Sequence, residues 1–275
     1  MYRNIFISIL FYCVPCAATP EWFWMDNFSS SEASDLKQWI SKTETGINRL
    51  FGPMPVDYQV YFYRYPDAEE PVPWANTSKH PGRSVSFYVD PTYSRRSFHR
   101  DWTAPHELTH LLFPFLGEDG RWFAEGIASY LQYQILYANE TLSWDWIPDK
   151  LQERFNRAQE QYVPHNMSIT ELSHVAGDLH AWVRLYWGGA AYFLQVDKRL
   201  YETRDMRLID VIRKYLHCCS QDKDMPVHAM MEKLDALSGS NIFSETYLET
   251  VHQPGFPETA DALAWLRNHP PVLLN

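Results

Sequence analysis

Two histidines stand four positions apart in the segment His106-Glu107-Leu108-Thr109-His110, and this segment constrains the chain more than any other. On an α-helix, side chains four residues apart lie on the same face, so both imidazoles can bind one metal ion. Histidine pairs of this kind are typical of zinc sites. Glu107 lies between them and can accept a proton from a water that the metal activates. The segment therefore predicts a helix that carries two zinc ligands and a general base.

A third ligand is predicted at Glu125, which opens a second apolar-periodic segment and follows His110 after 14 intervening residues. Because His110 would end one helix and Glu125 would begin the next, both side chains can face the loop between them. Residues that break helices mark this loop: Pro114, Gly117 and Gly120. Three protein ligands and one open position are typical of a catalytic zinc, whereas a structural site would close with a fourth Cys or His.

Two acids in the same loop, Glu118 and Asp119, compete with Glu125 for this role. They lie between two glycines, where turn formation explains an acidic residue without any metal. We therefore expect Glu125 to be the ligand.

The first 18 residues predict a secretory signal peptide that is cleaved near Ala18. One positive charge, Arg3, precedes an apolar run that ends in small residues. A retained membrane anchor is the alternative, but the run is shorter than the roughly 18 apolar residues that span a bilayer. We therefore expect a secreted or periplasmic protein with no stable membrane insertion after cleavage.

The charge and the cysteines of the chain exclude other classes. With 24 Lys and Arg against 34 Asp and Glu, the net charge is −10, which argues against a nucleic-acid partner. Outside the predicted signal only the adjacent pair Cys218 and Cys219 remains, which cannot form a disulfide framework. These are predicted to be small buried residues at a helix end, with a vicinal disulfide as the alternative.

The N-terminal part of the chain mixes helical and strand patterns. Residues 29–50 predict an amphipathic helix with Ser/Glu capping chemistry. Residues 58–63 and 84–89 predict strands, because they are rich in β-branched and aromatic residues. Residues 65–83 are predicted to be a Pro-rich loop.

From residue 115 onward the apolar spacing is helical. Helices are predicted over 121–138, 147–161, 169–174, 179–200, 205–218, 226–237, 241–252 and 259–267. The fold class is therefore α+β and mainly helical. We expect residues 19–275 to form one domain, with a small α/β lobe over 19–115, a helical lobe over 116–275 and the metal between them.

Together with Trp122-Phe123-Ala124-Glu125-Gly126, the histidine segment resembles the gluzincin metallopeptidases, which pair HExxH with a downstream Glu ligand. This resemblance implies a thermolysin-like zincin catalytic domain, one zinc ion and peptide-bond hydrolysis. It also implies that the strand over 84–89, which precedes the histidine segment as the edge strand of a zincin does, is the sheet edge on which an extended peptide can pair. In many relatives an acid one turn after the Glu ligand orients a histidine, and here that position is Ser129.

A second segment, Tyr186-Trp187-Gly188-Gly189-Ala190, is similar to the Tyr-x-x-Gly-Ala segment of aminopeptidase-like gluzincins, in which the Tyr hydroxyl faces the zinc. The glycyl aminopeptidase family is the closest likeness, through matches that extend over roughly residues 84–252. No Gly-x-Met-Glu-Asn segment is present to bind a free amino group, and the gap between His110 and the Glu ligand is shorter than those families show. Exopeptidase activity is therefore not implied.

The resulting hypothesis is a zinc-dependent peptidase for a peptide or protein substrate, with Glu107 as general base and Tyr186 as donor to the oxyanion. Tyr186 could instead be a packing aromatic. Three histidines are the alternative proton donors: His165, His174 and His180. Two other functions stay open, namely a zinc-dependent scaffold that binds peptides without cleaving them and a zinc hydrolase of a non-peptide bond.

Overall fold

The computed structural model describes residues 19–164, 166–220 and 223–275. The predicted signal segment 1–18 and His165 lie outside these residues. None of the helices in the described ranges combines the length and the apolar character that crossing a bilayer requires. One hydrophobic core cluster connects helices and strands from Leu36 to Leu266.

The N-terminal part forms a four-stranded sheet in the order β1-β2-β4-β3. β1, β2 and β4 are parallel, and β3 runs antiparallel to β4. The strand bounds are Pro20–Trp24 (β1), Tyr58–Arg64 (β2), Trp74–Ser78 (β3) and Ser84–Val89 (β4). The predicted strands over 58–63 and 84–89 are confirmed.

Two expectations for this sheet are wrong. Residues 65–83 are not only a loop, because β3 lies within them. The strand over 84–89 is internal, since β4 pairs with β2 on one side and with β3 on the other. β3 escapes a sequence search because its Trp-Ala-Asn-Thr-Ser composition has neither strong β-propensity nor apolar alternation. The exposed edge at this end of the sheet is therefore β3.

Helix α1, Ser30–Phe51, confirms the helix predicted over 29–50. Ser29 and Glu32 form a reciprocal capping box at its start, and Gly52 ends it with a φ of +94°, which a glycine adopts without strain. The other helices are Arg95–Arg100 (α2), Thr103–His110 (α3), Arg121–Ala138 (α4), Ile147–Glu160 (α5), Ile169–Val175 (α6), Trp182–Arg204 (α7), Leu208–Cys219 (α8), Val227–Ser238 (α9), Ile242–Glu249 (α10) and Ala260–Arg267 (α11). The described chain after residue 115 is thus helical, as predicted, and the fold is α+β and mainly helical.

A close approach of α4 to α7 fixes the centre of the helical part. A Cβ atom on Gly126 would lie 2.5 Å from the carbonyl carbon of Gly189, and one on Gly189 would lie 2.2 Å from the carbonyl oxygen of Trp122. No side chain fits at either position, so the two backbones can touch only because both residues are glycine. This contact sets the distance between Glu125 on α4 and Tyr186 on α7.

Asp197 on α7 is completely buried and accepts four hydrogen bonds. Arg207 donates through Nε and Nη2 at 2.8 and 2.7 Å, Tyr130 through its hydroxyl at 2.7 Å, and Leu208 through its backbone N–H at 2.7 Å. These donors come from α4 and from the start of α8. The carboxylate therefore joins three segments through bonds that its own charge strengthens.

Cys218 and Cys219 form a vicinal disulfide at the end of α8. The expectation of two small buried residues is wrong, because Cys218 is exposed and Cys219 is only partly buried. The vicinal disulfide, which was the alternative interpretation, is confirmed.

We expect Asp197→Asn to lower the free energy of unfolding by about 3 kcal/mol, because it leaves the buried Arg207 guanidinium without its counter-charge. Denaturant titration followed by circular dichroism measures this. Asp261→Asn is the matched control, since Asp261 also pairs with a cation, Lys198, but 86% of its side chain is exposed. Equal effects of the two substitutions would contradict the prediction.

Candidate metal centre

Helix α3 presents the two histidines of the sequence motif to the interior. Pro105 lies in its first turn, where a missing N–H is tolerated, and the Asp101 carboxylate accepts the backbone N–H of Thr103 at 2.8 Å. His106 is 3% exposed, and His110 ends the helix one turn later. Both rings therefore leave the helix on one face.

Glu125, in the second turn of α4, meets both rings with a single oxygen. Its Oε2 lies 3.1 Å from Nε2 of His106 and 3.5 Å from Nε2 of His110. One ligand atom from each of these three residues lies within 4.8 Å of the others. The residues predicted as a ligand set are thus brought together, and the group could hold a metal ion.

The charges in this cluster are strongly coupled. Burial acts to lower the pKa of His106, but the hydrogen bond and the charge of Glu125 outweigh it, so this pKa is raised. Burial acts to raise the pKa of Glu125, but the charges and hydrogen bonds of His110 and His106 hold it well below its usual range. An anionic carboxylate is therefore stable here only in the company of positive charge.

The spacing fits zinc. Ligands at about 2.0–2.2 Å from a tetrahedral zinc ion lie about 3.3–3.5 Å from one another. The two Nε2 to Oε2 distances of 3.1 and 3.5 Å lie close to this separation. Two imidazole nitrogens and one carboxylate oxygen are also a donor set that zinc uses.

Gln132 orients His106 from behind. Its side-chain oxygen lies 3.1 Å from Nδ1 of His106, and the residue is 1% exposed. Because an amide oxygen only accepts, Nδ1 carries the proton and Nε2 keeps its lone pair for a metal. Ser129, the orienting position expected from the resemblance, makes no such bond, since its buried hydroxyl has no partner. Sequence reasoning missed Gln132, which follows Glu125 by two helical turns.

Glu107 lies beside the cluster and outside the ligand group. Its Oε2 accepts a hydrogen bond of 2.7 Å from the hydroxyl of Thr77 on β3. The same hydroxyl lies 3.2 Å from the backbone oxygen of Glu107, so β3 and α3 are joined at this residue. The carboxylate therefore has a fixed orientation.

Tyr186 on α7 reaches the cluster from the helical part. Its ring centroid is 6.0 Å from that of His106, with 27° between the planes. Burial, followed by the charges of Glu125 and Glu107, raises the pKa of its hydroxyl well above the usual value. The hydroxyl therefore stays protonated and can donate a hydrogen bond.

A cavity of about 700 Å³ opens over these residues and is lined by β3, α3, α4 and Tyr186. Large apolar side chains stand partly exposed around it: Trp74, Trp102 and Phe115. A deep polar centre with apolar walls is the usual form of a ligand-binding cleft.

The other described acids and histidines considered from the sequence are not part of the potential ligand group. Glu118 lines the cavity but is bound to Arg121, and Asp119 pairs with the exposed His174 at 3.1 Å. Neither acid belongs to the group of potential ligands, and His174 and His180 do not line the cavity.

No protein-family model matches the sequence, and no curated protein matches it. Solved structures do. An aminopeptidase N family protein from Idiomarina loihiensis has a TM-score of 0.59 at 15% identity, over 90% of this chain and 47% of that protein. An M1 zinc metallopeptidase from Deinococcus radiodurans has a TM-score of 0.51 at 14% identity, over 86% of this chain and 49% of that protein. This chain thus has the fold of part of these two proteins and spans about half of their length.

We expect Gln132→Leu to weaken zinc binding about 10- to 100-fold, because His106 loses the acceptor that fixes its ring and proton. Competition with a chelator of known zinc affinity measures this. Gln134→Leu is the matched control, because Gln134 lies on the same helix and both of its buried side-chain polar atoms lack a partner. Gln132→Glu keeps an acceptor and should restore binding, whereas unchanged affinity in Gln132→Leu would contradict the proposed orientation.

Proposed function

We propose that this chain is a zinc-dependent peptidase of the gluzincin type with a thermolysin-like zincin domain. The convergence of two imidazoles and one carboxylate on a point beside Glu107, within an open cleft, carries this proposal. The shared fold with zinc metallopeptidases supports it.

His106, His110 and Glu125 would hold one zinc ion, and Gln132 would keep His106 in the ligating tautomer. When bound, zinc polarises the carbonyl of the scissile bond and makes a water molecule more acidic. The protein ligands carry one negative charge between them, so the loaded site keeps a net positive charge that suits a developing oxyanion.

Glu107 would accept the proton of the attacking water and return it to the leaving amine nitrogen. Its bond from Thr77 uses one carboxylate oxygen and leaves Oε1 free to take the proton. Tyr186, which stays protonated, would donate a hydrogen bond to the oxyanion. Glu107 would thus transfer the proton through Oε1, and Tyr186 would stabilise the oxyanion through its hydroxyl.

The substrate would be an extended peptide or protein segment that pairs with β3. The β3 strand is the edge of the sheet, it lines the cleft, and its Thr77 bonds the general base. An extended chain can add to such an edge through backbone hydrogen bonds. This assigns to β3 the docking role that the sequence had suggested for the strand over 84–89.

The proposal includes the setting of the enzyme. Residues 19–275 would act as a single metallopeptidase domain, with lobes 19–115 and 116–275, and the chain would be secreted or periplasmic after cleavage of the signal. The net charge of −10 disfavours nucleic acid as a partner.

We expect Glu107→Gln to lower the rate of peptide cleavage by at least 100-fold while zinc binding is retained, because the amide cannot accept the proton. Incubation of zinc-loaded protein with a diverse peptide library, followed by mass spectrometry of the products, measures the cleavage. Elemental analysis measures the zinc.

Glu118→Gln is the matched control, because Glu118 lies in the same cleft but is bound to Arg121. It should cleave like the parent. Cleavage by Glu107→Gln at the parental rate would refute the role of Glu107, and zinc-dependent peptide binding without cleavage by the parent would favour the scaffold function.

A further inference from the structure

One end of the cavity over the candidate metal centre carries a lysine, Lys79, that pairs with no acid among the described residues. Lys79 directly follows β3, is partly buried and lines the cavity together with His106 and Glu107. Its Nζ donates one hydrogen bond of 2.9 Å, to the backbone oxygen of Pro114. It makes no ion pair within 4.0 Å with any acid in the described part of the chain. An ammonium group has three donors, so this one keeps capacity for a ligand.

The neighbouring charges do not neutralise Lys79. Arg83 lies close by and uses its two Nη atoms for the backbone oxygens of Leu111 and Ser220, so it adds positive charge. Two described acids, Asp224 and Glu125, attract Lys79. The Asp224 carboxylate already binds His80 at 2.8 Å and accepts the N–H of Phe115 at 3.3 Å, and Glu125 pairs with His106 and His110. Within the described residues, Lys79 and Arg83 thus place two positive charges at this end of the cleft, in a chain whose net charge is −10.

The pKa of Lys79 is lowered, as expected for a partly buried ammonium group without an adjacent acid. Burial, with a contribution from Arg83, lowers its pKa to about 8, against the opposing attraction of Asp224 and Glu125. The group still carries its charge in most molecules at pH 7. A divalent ion on the histidine cluster would offset the attraction from Glu125 and favour the neutral amine, whereas a bound anion next to Lys79 would favour its charged form.

We propose that Lys79 binds a carboxylate of the substrate, so that the cleft favours peptides with an Asp or Glu side chain, or a free C-terminal carboxylate, close to the scissile bond. This inference rests on the proposed peptidase function, since it names the substrate class of that site. A carboxylate would supply both a negative charge and hydrogen-bond acceptors to the Lys79 ammonium group, which bonds only a backbone oxygen of the described residues. A neutral carbonyl would supply only the acceptor.

Direct binding to a protein that cannot cleave tests this. Zinc-loaded Glu107→Gln protein is titrated with labelled peptides, followed by fluorescence anisotropy. The peptides form matched pairs, with Asp against Asn at one position or a C-terminal acid against its amide. We expect the acidic member of the favoured pair to bind about tenfold more tightly, as one charge-assisted hydrogen bond contributes. The pair that shows the difference identifies the source of the carboxylate.

Three variants, each with one further substitution in the Glu107→Gln protein, distinguish a specific contact with Lys79 from a general effect of positive charge in the cleft. Lys79→Gln should abolish the preference for the acidic peptide, and Lys79→Arg should retain it. Arg121→Gln is the matched control, because Arg121 is a cation in the same cleft that Glu118 already pairs. It should leave the preference intact. Thermal unfolding and zinc content confirm that each variant is folded and loaded.

Equal binding of both members of every pair, or a preference that survives Lys79→Gln, overturns the proposal, as does a failure of every acidic peptide to bind. If Lys79→Gln does not fold, Lys79→Met takes its place, because it removes the charge and keeps an unbranched side chain of similar length. If acidic peptides bind more tightly through Lys79 but the parent protein cleaves none of them, the carboxylate site is supported and the peptidase function is refuted. If both members of every pair bind equally and are cleaved at equal rates, the peptidase function is supported and the carboxylate site is refuted.

Discussion

The site depends on the packing of α3 against α4, because this contact alone brings two imidazoles and one carboxylate to a common point. The Glu125 oxygen lies 3.1 and 3.5 Å from the two Nε2 atoms, with 19% of its side chain exposed. A carboxylate with so little solvent is costly unless positive charge surrounds it. The spacing is therefore stable when positive charge lies next to the Glu125 carboxylate. Since the Gly126–Gly189 contact holds α4 on α7, a larger residue at either position would change the distance between Glu125 and Tyr186.

Sequence reasoning reached the parts of this site that local periodicity controls. His106 and His110 are one helical turn apart, so their common face follows from the helix repeat. Glu125 could be found because helix-breaking residues mark the loop and place it in the opening turns of the next helix. Most helices after residue 115 were predictable for the same reason, while the short helix α2 and the strand β1 were missed. Elements of five or six residues give too few repeats for a period to be recognised.

The missed residues have a different character, because their roles depend on how elements pack. Gln132 reaches His106 only at the crossing of α3 and α4, and no spacing rule relates it to the histidine motif. Thr77 and Lys79 belong to a segment whose composition resembles a loop. β3 exists because β4 offers a partner for its backbone, and its antiparallel pairing carries these side chains to the cleft. Tertiary pairing thus decided a strand that local propensity opposed.

The antiparallel strand also explains how a cation can persist at the cleft of an acidic protein. Lys79 follows β3 and cannot turn away from the cavity without giving up its bond to Pro114, which lies in the loop between α3 and α4. Arg83 is likewise bound to Leu111 next to the metal helix, so two cations brace the loop that leads from His110 to Glu125. An acid in place of Lys79 would neutralise this end and attract a substrate's free amino group. The proposed preference for a peptide carboxylate therefore depends on the charge at this position and not on the three residues that would hold the metal.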